Sequence, residues 1–340
     1  LMQLAKAWTK NDIEVHVVTS RGKQGFLSDI EGVNARFFDY SWASNKILRL
    51  INLVWSQIRL IFKFIGEVKK EDIIYINTVL PFGAAFLGKL KGCRIIYHMH
   101  ETSMKPPILK SFLFGVAKWA ADDVIYVSNF LAKQEAFPNN KTHILYNAIE
   151  DDFLNEAIKN RKKETQYDNV LMVCSLKDYK GVNEFADLAN TNAHFNFKLV
   201  LNAPQVEIDV YFKDIEVSPN LEIFSTKSDL HPFYKWADVI LNLSWPTRWV
   251  ETFGLTIIEG MAYGIPAIVP PVGGITELVE ENKNGFLVDC KKTPQLNDRL
   301  NDLLHNEHGY DVMSENSKEK ITRFNEDTFG YVLAISALSE

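Results

Sequence analysis

The chain is poor in cysteine, with three in 340 residues, Cys93, Cys174 and Cys290, odd in number and far apart. Neither a disulfide framework nor a cysteine-based zinc site fits that spacing, and a reducing, cytoplasmic setting suits it best. A long apolar run is also missing: the most apolar stretch, 48–65, is interrupted by Arg49, Arg59 and Lys63. A membrane-spanning helix is therefore not expected, and the protein reads as soluble or peripheral. There is no excess of base, since 43 acids against 37 Lys and Arg leave a formal charge of −6, which argues against a dedicated nucleic-acid binder. No acid-rich metal motif of the Asp-x-Asp kind occurs, and no Gly-x-Gly-x-x-Gly follows a strand-like run, so neither a bound metal nor a nicotinamide cofactor is indicated. Nor does a signal peptide open the chain, which starts abruptly at Leu1 with Leu4, Ala5 and Trp8 at helical spacing, as if cut into an element.

What is present is an ordinary globular composition, 46% hydrophobic and 24% charged. At this length, beyond the roughly 250 to 300 residues one core supports, two domains are expected. Short β-rich runs alternate with helical stretches: 13–19 (IEVHVVT), 72–78 (DIIYINT), 94–100 (RIIYHMH) and 123–128 (DVIYVS). A second series follows at 169–175, 198–202, 221–225, 238–244 and 266–270. Strands separated by helices imply parallel sheets covered on both faces, built here twice. The polar, strand-poor segment 150–167, with Arg161, Lys162 and Lys163 in sequence, reads as the linker. The expected domains are 1–162 and 163–325, with a closing helix over 326–340.

Parallel α/β sheets bind ligands beyond the carboxyl ends of their strands. His100, Glu101, Ser128, Asn147, Ser175 and Ser244 occupy such places, although capping or turn formation alone would account for Ser128, Asn147 and Ser244. The most informative segment is 244–289, SWPTRWVETFGLTIIEGMAYGIPAIVPPVGGITELVEENKNGFLVD. Gly254 opens a helix running through Ile257, Ile258 and Met261 and stopped by Gly264 and Pro266. The first-turn amides of Phe253, Gly254 and Leu255 then form an anion site that glycine leaves open to close approach. Glu251 and Glu259, about 12 Å apart along a helix, are too distant for one acid/base pair and must read different parts of an extended ligand.

This segment resembles the retaining glycosyltransferases of family 4, which have the GT-B fold. Their Glu-x7-Glu motif with an internal Phe-Gly is matched by Glu251, Phe253, Gly254 and Glu259. Ala262, Gly264 and Pro266, then Gly273, Gly274 and Glu277, then Asn284 to Leu287, resemble the motifs that follow it. Upstream, Lys180 and Gly181 resemble the family's Lys-Gly, whose lysine contacts the donor diphosphate. Residues 77–83 (NTVLPFG) and 98–101 (HMHE), with Ser128 and Asn147, resemble further family positions. The resemblance covers nearly the whole chain.

What it implies is an α/β architecture of two Rossmann-like, doubly wound parallel-sheet domains facing a central cleft. The implied reaction moves a sugar from a nucleotide-diphosphate sugar to a hydroxyl with retention, without metal or other cofactor. Glu251 would hold the sugar, Glu259 the ribose and Lys180 the diphosphate, with Phe253, Gly254 and Leu255 at the helix start. His100 would orient the sugar or stabilise developing charge, His98 would be packing or support, and Asn77 and Glu101 would lie on the acceptor side. Two places depart from the pattern. Cys174, Ser175 and Leu176 stand where the family has Gly-Arg-Leu, leaving Lys177 or Arg248 as the second phosphate-binding cation. The first strand and glycine-rich loop that precede this start in the family are absent. The expected acceptor is a lipid-linked glycan in bacterial surface polysaccharide synthesis, at the inner face of the plasma membrane. The basic, apolar stretch 44–70 suits either contact with an anionic membrane or ordinary packing on the sheet. A nucleotide-sugar 2-epimerase of the same fold and an inactive, nucleotide-sugar-binding subunit are the alternatives.

Overall fold

The computed structural model describes residues 2–20, 32–102, 104–161 and 167–326. It divides into two compact units between Tyr146 and Asn147.

In the first unit, α1 (Met2–Lys10) leads into β1 (Val15–Ser20), which pairs in parallel with β2 (Val33–Phe38). After α2 (Lys46–Phe64) comes a second parallel sheet in sequential order: β3 (Ile73–Asn77), β4 (Arg94–Met99), β5 (Asp123–Tyr126) and β6 (Lys141–Ile144). The crossovers are α3 (Phe82–Lys91), α4 (Pro107–Ala120) and α5 (Asn129–Gln134). In β4 the consecutive residues Ile95, Ile96, Tyr97, His98 and Met99 are all buried, as in a strand covered on both faces. Gly88 of α3 lets that helix approach β4, because a Cβ there would fall 2.8 Å from the Ile95 side chain.

The second unit begins with α6 (Asp151–Lys159) and continues with β7 (Asn169–Ser175), α7 (Val182–Thr191), β8 (Asn196–Asn202), α8 (Gln205–Phe212) and β9 (Leu221–Phe224). Then follow α9 (His231–Trp236), β10 (Val239–Leu241), α10 (Leu255–Ala262), β11 (Ala267–Val269), β12 (Gly285–Leu287), α11 (Thr293–His305) and α12 (Glu307–Ile321). The sheet is all parallel, in the order β12-β11-β10-β7-β8-β9. The chain builds outward from β7 to β9, then returns to the other side of β7 for β10 to β12. Because parallel crossovers are right-handed, that reversal sends α7 and α8 to one face and α10 to the other. On the first of these faces Val170, Met172, Leu199, Leu201, Val239 and Leu241 form one core with α7, α8 and α11.

Two sequence expectations need correction or limit. Residues 151–159 of the segment read as a linker form α6, an amphipathic helix with Asp151 and Asp152 in its first turn and Lys159 in its last. It packs on α9 and α10, and Arg161 donates to the Ala262 carbonyl at 2.9 Å, so the segment belongs to the second unit and the division falls before it, not near 162. Its polar composition reflects a helix with one thin buried stripe. The helix expected over 326–340 lies, after Glu326, outside the described residues.

Candidate active site

The reversal of strand order leaves a crevice between the loops that follow β7 and β10, the usual ligand place in such a sheet. After β7 the chain passes through Leu176 and Lys177 into a tight turn, Asp178–Lys180, and then Gly181 at φ +79°. A Cβ on Gly181 would lie 2.3 Å from the Leu243 carbonyl, so only glycine lets this turn press against the loop after β10. The Trp245 N–H donates to the Tyr179 carbonyl at 2.8 Å and fixes the contact. Lys180 Nζ is thereby brought 2.5 Å from Glu251 Oε1. The same oxygen accepts from Ser244 Oγ at 2.7 Å and Asn242 Nδ2 at 3.3 Å. Burial by itself would raise the Glu251 pKa, but the Lys180 charge and these hydrogen bonds outweigh it and hold the carboxyl below its usual range. Lys180 Nζ also lies 4.7 Å from the centroid of the Trp249 ring, on which Tyr179 stacks.

The glycine pair downstream positions Glu251 from behind. Gly274 N–H donates to the Glu251 carbonyl at 2.7 Å, and a Cβ on Gly273 (φ +112°) would come 2.4 Å from that oxygen. Gly254, at φ +151°, caps α10, as the sequence indicated. Phe253 is buried and meets Phe324 edge to face, while Leu255 is half exposed. The N-terminal end of α10 adds partial positive charge to a site that already holds an ammonium group. Arg248 is exposed, with its guanidinium 5.3 Å from the Trp245 ring centroid, and Lys177 is exposed as well.

Glu259, in the second turn of α10, has a different partner. Tyr234 Oη, on a fully buried side chain, donates to Glu259 Oε2 at 2.5 Å. Burial raises the Glu259 pKa against the lowering effect of that bond, and burial with the neighbouring carboxylate pushes the Tyr234 hydroxyl well up.

In the first unit, the ends of β3 and β4 hold a second polar cluster. His100 Nε2–H donates to Asn77 Oδ1 at 2.9 Å. Since Asn77 Oδ1 only accepts, Nδ1 of the neutral ring is the acceptor nitrogen. Burial lowers the His100 pKa to about 4, so the ring is neutral at pH 7. The His98 ring lies 4.2 Å away, fully buried, with Nδ1 2.8 Å from Tyr75 Oη, and burial likewise holds it neutral. Tyr75 meets Trp8 edge to face. Thr78, which follows β3, has φ +82°, a strained value for a β-branched residue, and continues the ladder by donating its N–H to the His98 carbonyl. Glu101 is raised by burial despite hydrogen bonds from Thr78 and nearby backbone amides.

The structure thus joins Lys180 to Glu251 and Asn77 to His100, gathers Phe253, Gly254 and Leu255 at one helix start, and sets Glu259 apart on Tyr234. His100, Asn77 and Glu101 belong to the other unit. Asn77 acts first as the partner of His100. Ser128 caps α5 by accepting the Leu131 N–H. Sequence reasoning missed Asn242, the first residue past β10, which strand-end position would have flagged, and Tyr234 and Tyr75, which carry no local signal. Among the described residues, no three His, Cys, Asp or Glu side chains cluster as metal ligands, and no helix is long and apolar enough to cross a membrane.

Comparison with known proteins agrees with the geometry. A sequence model described as Glycosyl transferases group 1 matches residues 155–320, and one described as Glycosyltransferase Family 4 matches residues 1–153. An uncharacterized glycosyltransferase of Methanocaldococcus jannaschii is 27% identical over 77% of this chain and 74% of its own. The capsular polysaccharide biosynthesis glycosyltransferase CapM of Staphylococcus aureus is 22% identical over 92% of this chain and 86% of its own. The crystal structure of Anabaena Alr3699/HepE in complex with UDP-glucose superposes with a TM-score of 0.80 at 19% identity, covering 100% of this chain and 94% of that one. With one such sequence model on each half and two Rossmann-like domains beneath them, the chain belongs to the group 1 glycosyltransferases of GT-B fold.

Proposed function

We propose that this glycosyltransferase moves a sugar from a nucleotide-diphosphate sugar to a hydroxyl of a lipid-linked glycan, with retention at the anomeric carbon, at the inner face of the plasma membrane. The observation that carries the donor half is the Lys180–Glu251 pair beside the glycine-capped start of α10, at the point where the strand order reverses. A diphosphate needs a cation and unpaired N–H donors; a sugar needs a fixed acceptor for its hydroxyls. Both are preorganised here within one polar network.

In this reading the diphosphate binds Lys180 and the first-turn amides of α10, with Arg248 as the second cation. As Lys180 turns to the phosphate, Glu251 accepts sugar hydroxyls while Ser244 and Asn242 keep it in place. Glu259, steadied by Tyr234, takes the ribose diol. His100, neutral and held by Asn77, orients the sugar through its acceptor nitrogen, and Glu101 serves the acceptor side. The bond to the acceptor oxygen forms on the face from which the diphosphate departs, and the departing phosphate takes the acceptor proton. Lys180 and the helix start meet the charge that develops, so the proposed reaction uses no metal. The UDP-glucose in the Anabaena complex and the capsular role in the Staphylococcus relative's name support a sugar nucleotide and a surface glycan.

Calorimetric titration with UDP, GDP, ADP and CMP in chelator tests the donor half. One diphosphate should bind, and Lys180→Ala should weaken it about 10- to 100-fold, the worth of a charge-assisted hydrogen bond. If none binds, the reading fails. NMR of the product's anomeric proton decides retention, and product formed without acceptor would indicate an epimerase instead.

A further inference from the structure

Helices α2, α3 and α4 pack side by side, with α3 touching both neighbours. None of the three contains an Asp or Glu, although the chain as a whole is acidic, and α2 alone carries Lys46, Arg49, Arg59 and Lys63. The apolar residues of α2 are distributed inside out. It buries Ser56 and Gln57 beside Leu60 and Phe64, Gln57 accepting the Gly83 N–H, while Ile47, Trp55 and Phe62 are 73%, 53% and 75% exposed. Leu90 on α3 and Ile108 and Trp119 on α4, at 66%, 83% and 56%, extend the apolar surface, and Phe86 and Trp119 pack 5.4 Å apart where α3 meets α4. A surface helix ordinarily shows the reverse pattern, and exposed apolar area on this scale marks an interaction surface.

The charge selects the partner. A second copy docking face to face would set base against base. An anionic bilayer, in contrast, takes apolar side chains to the level of its acyl boundary and pairs the bases with its headgroups. Trp42 under Arg49 and Trp55 under Arg59, at 4.7 and 5.5 Å, combine the ring and cation that favour that interface. Lys89 and Lys110 are drawn into pairs with Asp122 and Glu135, leaving the α2 bases, Lys91 and Lys118 as the electrostatic contribution. We propose that the α2–α4 face docks onto an anionic lipid bilayer. The inference deepens the lipid-linked-acceptor reading and rests on it for its use, which is to bring the first unit to the acceptor.

Flotation of the full chain with phosphatidylcholine vesicles, with and without phosphatidylglycerol and without any acceptor, tests it. Binding should require phosphatidylglycerol and weaken with salt. Lys46→Glu/Arg59→Glu and, separately, Ile47→Gln/Phe62→Gln should each lower it about tenfold or more, since each base or large apolar group near the surface contributes severalfold. Unchanged nucleotide titration would show both variants folded. Absence of binding, binding that neither variant alters, or a dimer in the ultracentrifuge that Ile47→Gln/Phe62→Gln dissociates without vesicle binding would each overturn the proposal. Nucleotide binding without vesicle binding overturns the docking alone; vesicle binding without nucleotide binding overturns the donor reading alone.

Discussion

Replacing Lys180 with Met tests whether the Lys180–Glu251 pair is an electrostatic unit in a dry site. Both side chains are about five-sixths buried, at 15% and 16% exposure. Removing one partner of a fully buried pair costs about 3 to 5 kcal/mol. Here Ser244 and Asn242 still donate to the carboxylate and some solvent reaches it, so about 2 kcal/mol is expected. Glu251→Gln should cost slightly less, because the stranded ammonium keeps Trp249. The double variant should cost less than the two singles together, with a coupling of about 1 to 2 kcal/mol. Native-state amide exchange of β7 and β10 reads the local opening energy in this unit by itself. The pH dependence has a definite sign. In the native protein the folded pKa of Glu251 lies below 4.5, so its contribution is complete above that pH and is lost as pH falls through the lower folded value. In Lys180→Met burial is offset only by the Ser244 and Asn242 hydrogen bonds, the folded pKa rises, and the deficit at pH 7 should shrink on acidification through 4.5. A cost below about 0.5 kcal/mol with no coupling would place the pair among solvated surface bridges and refute the reasoning.

Three further outcomes follow from the geometry. Gly273→Ala, forced to φ +112° with a Cβ 2.4 Å from the Glu251 carbonyl, should lose about 2 to 4 kcal/mol in thermal melts and abolish donor binding; a neutral result would show that the turn readjusts. Folded His100 stays neutral to about pH 4 while the unfolded chain protonates near 6.5, so stability should be full above pH 6.5 and fall by about 3 kcal/mol by pH 4; NMR titration of the ring and a shallower slope in His100→Gln check this. Tyr234→Phe should cost about 1 to 3 kcal/mol by denaturant unfolding, since it leaves a buried Glu259 oxygen without its donor, and should weaken nucleotide binding several-fold by calorimetry.

Much of the fold was readable because central parallel strands are continuous β-branched runs. Every run named from the sequence contains a strand, from Val15–Ser20 to Ala267–Val269. The misses were of a different kind. β6 is an edge strand of Lys-Thr-His-Ile, half exposed, and β2 interrupts its apolar residues with Asn34 and Arg36, so neither stands out from polar loop sequence. α6 reads as a linker because only Ala157 of its nine residues is buried. At the site, the glycines and the spacing of Glu251 and Glu259 carried the resemblance, but the separate partners of the two glutamates did not show.

The hydrophobic period of each segment, its glycines and its turn signals were enough to establish a twice-built α/β chain with a helix start at Gly254. Those are local properties, set by whether one face of a short segment meets apolar surroundings and whether its backbone can take positive φ. The order β12-β11-β10-β7-β8-β9 is not local, and it is this order that sets the β7 loop against the β10 loop. Only then does Lys180 meet a carboxylate 71 residues away, and only its charge, with the Ser244 and Asn242 hydrogen bonds of the packed unit, outweighs burial and holds Glu251 ionised.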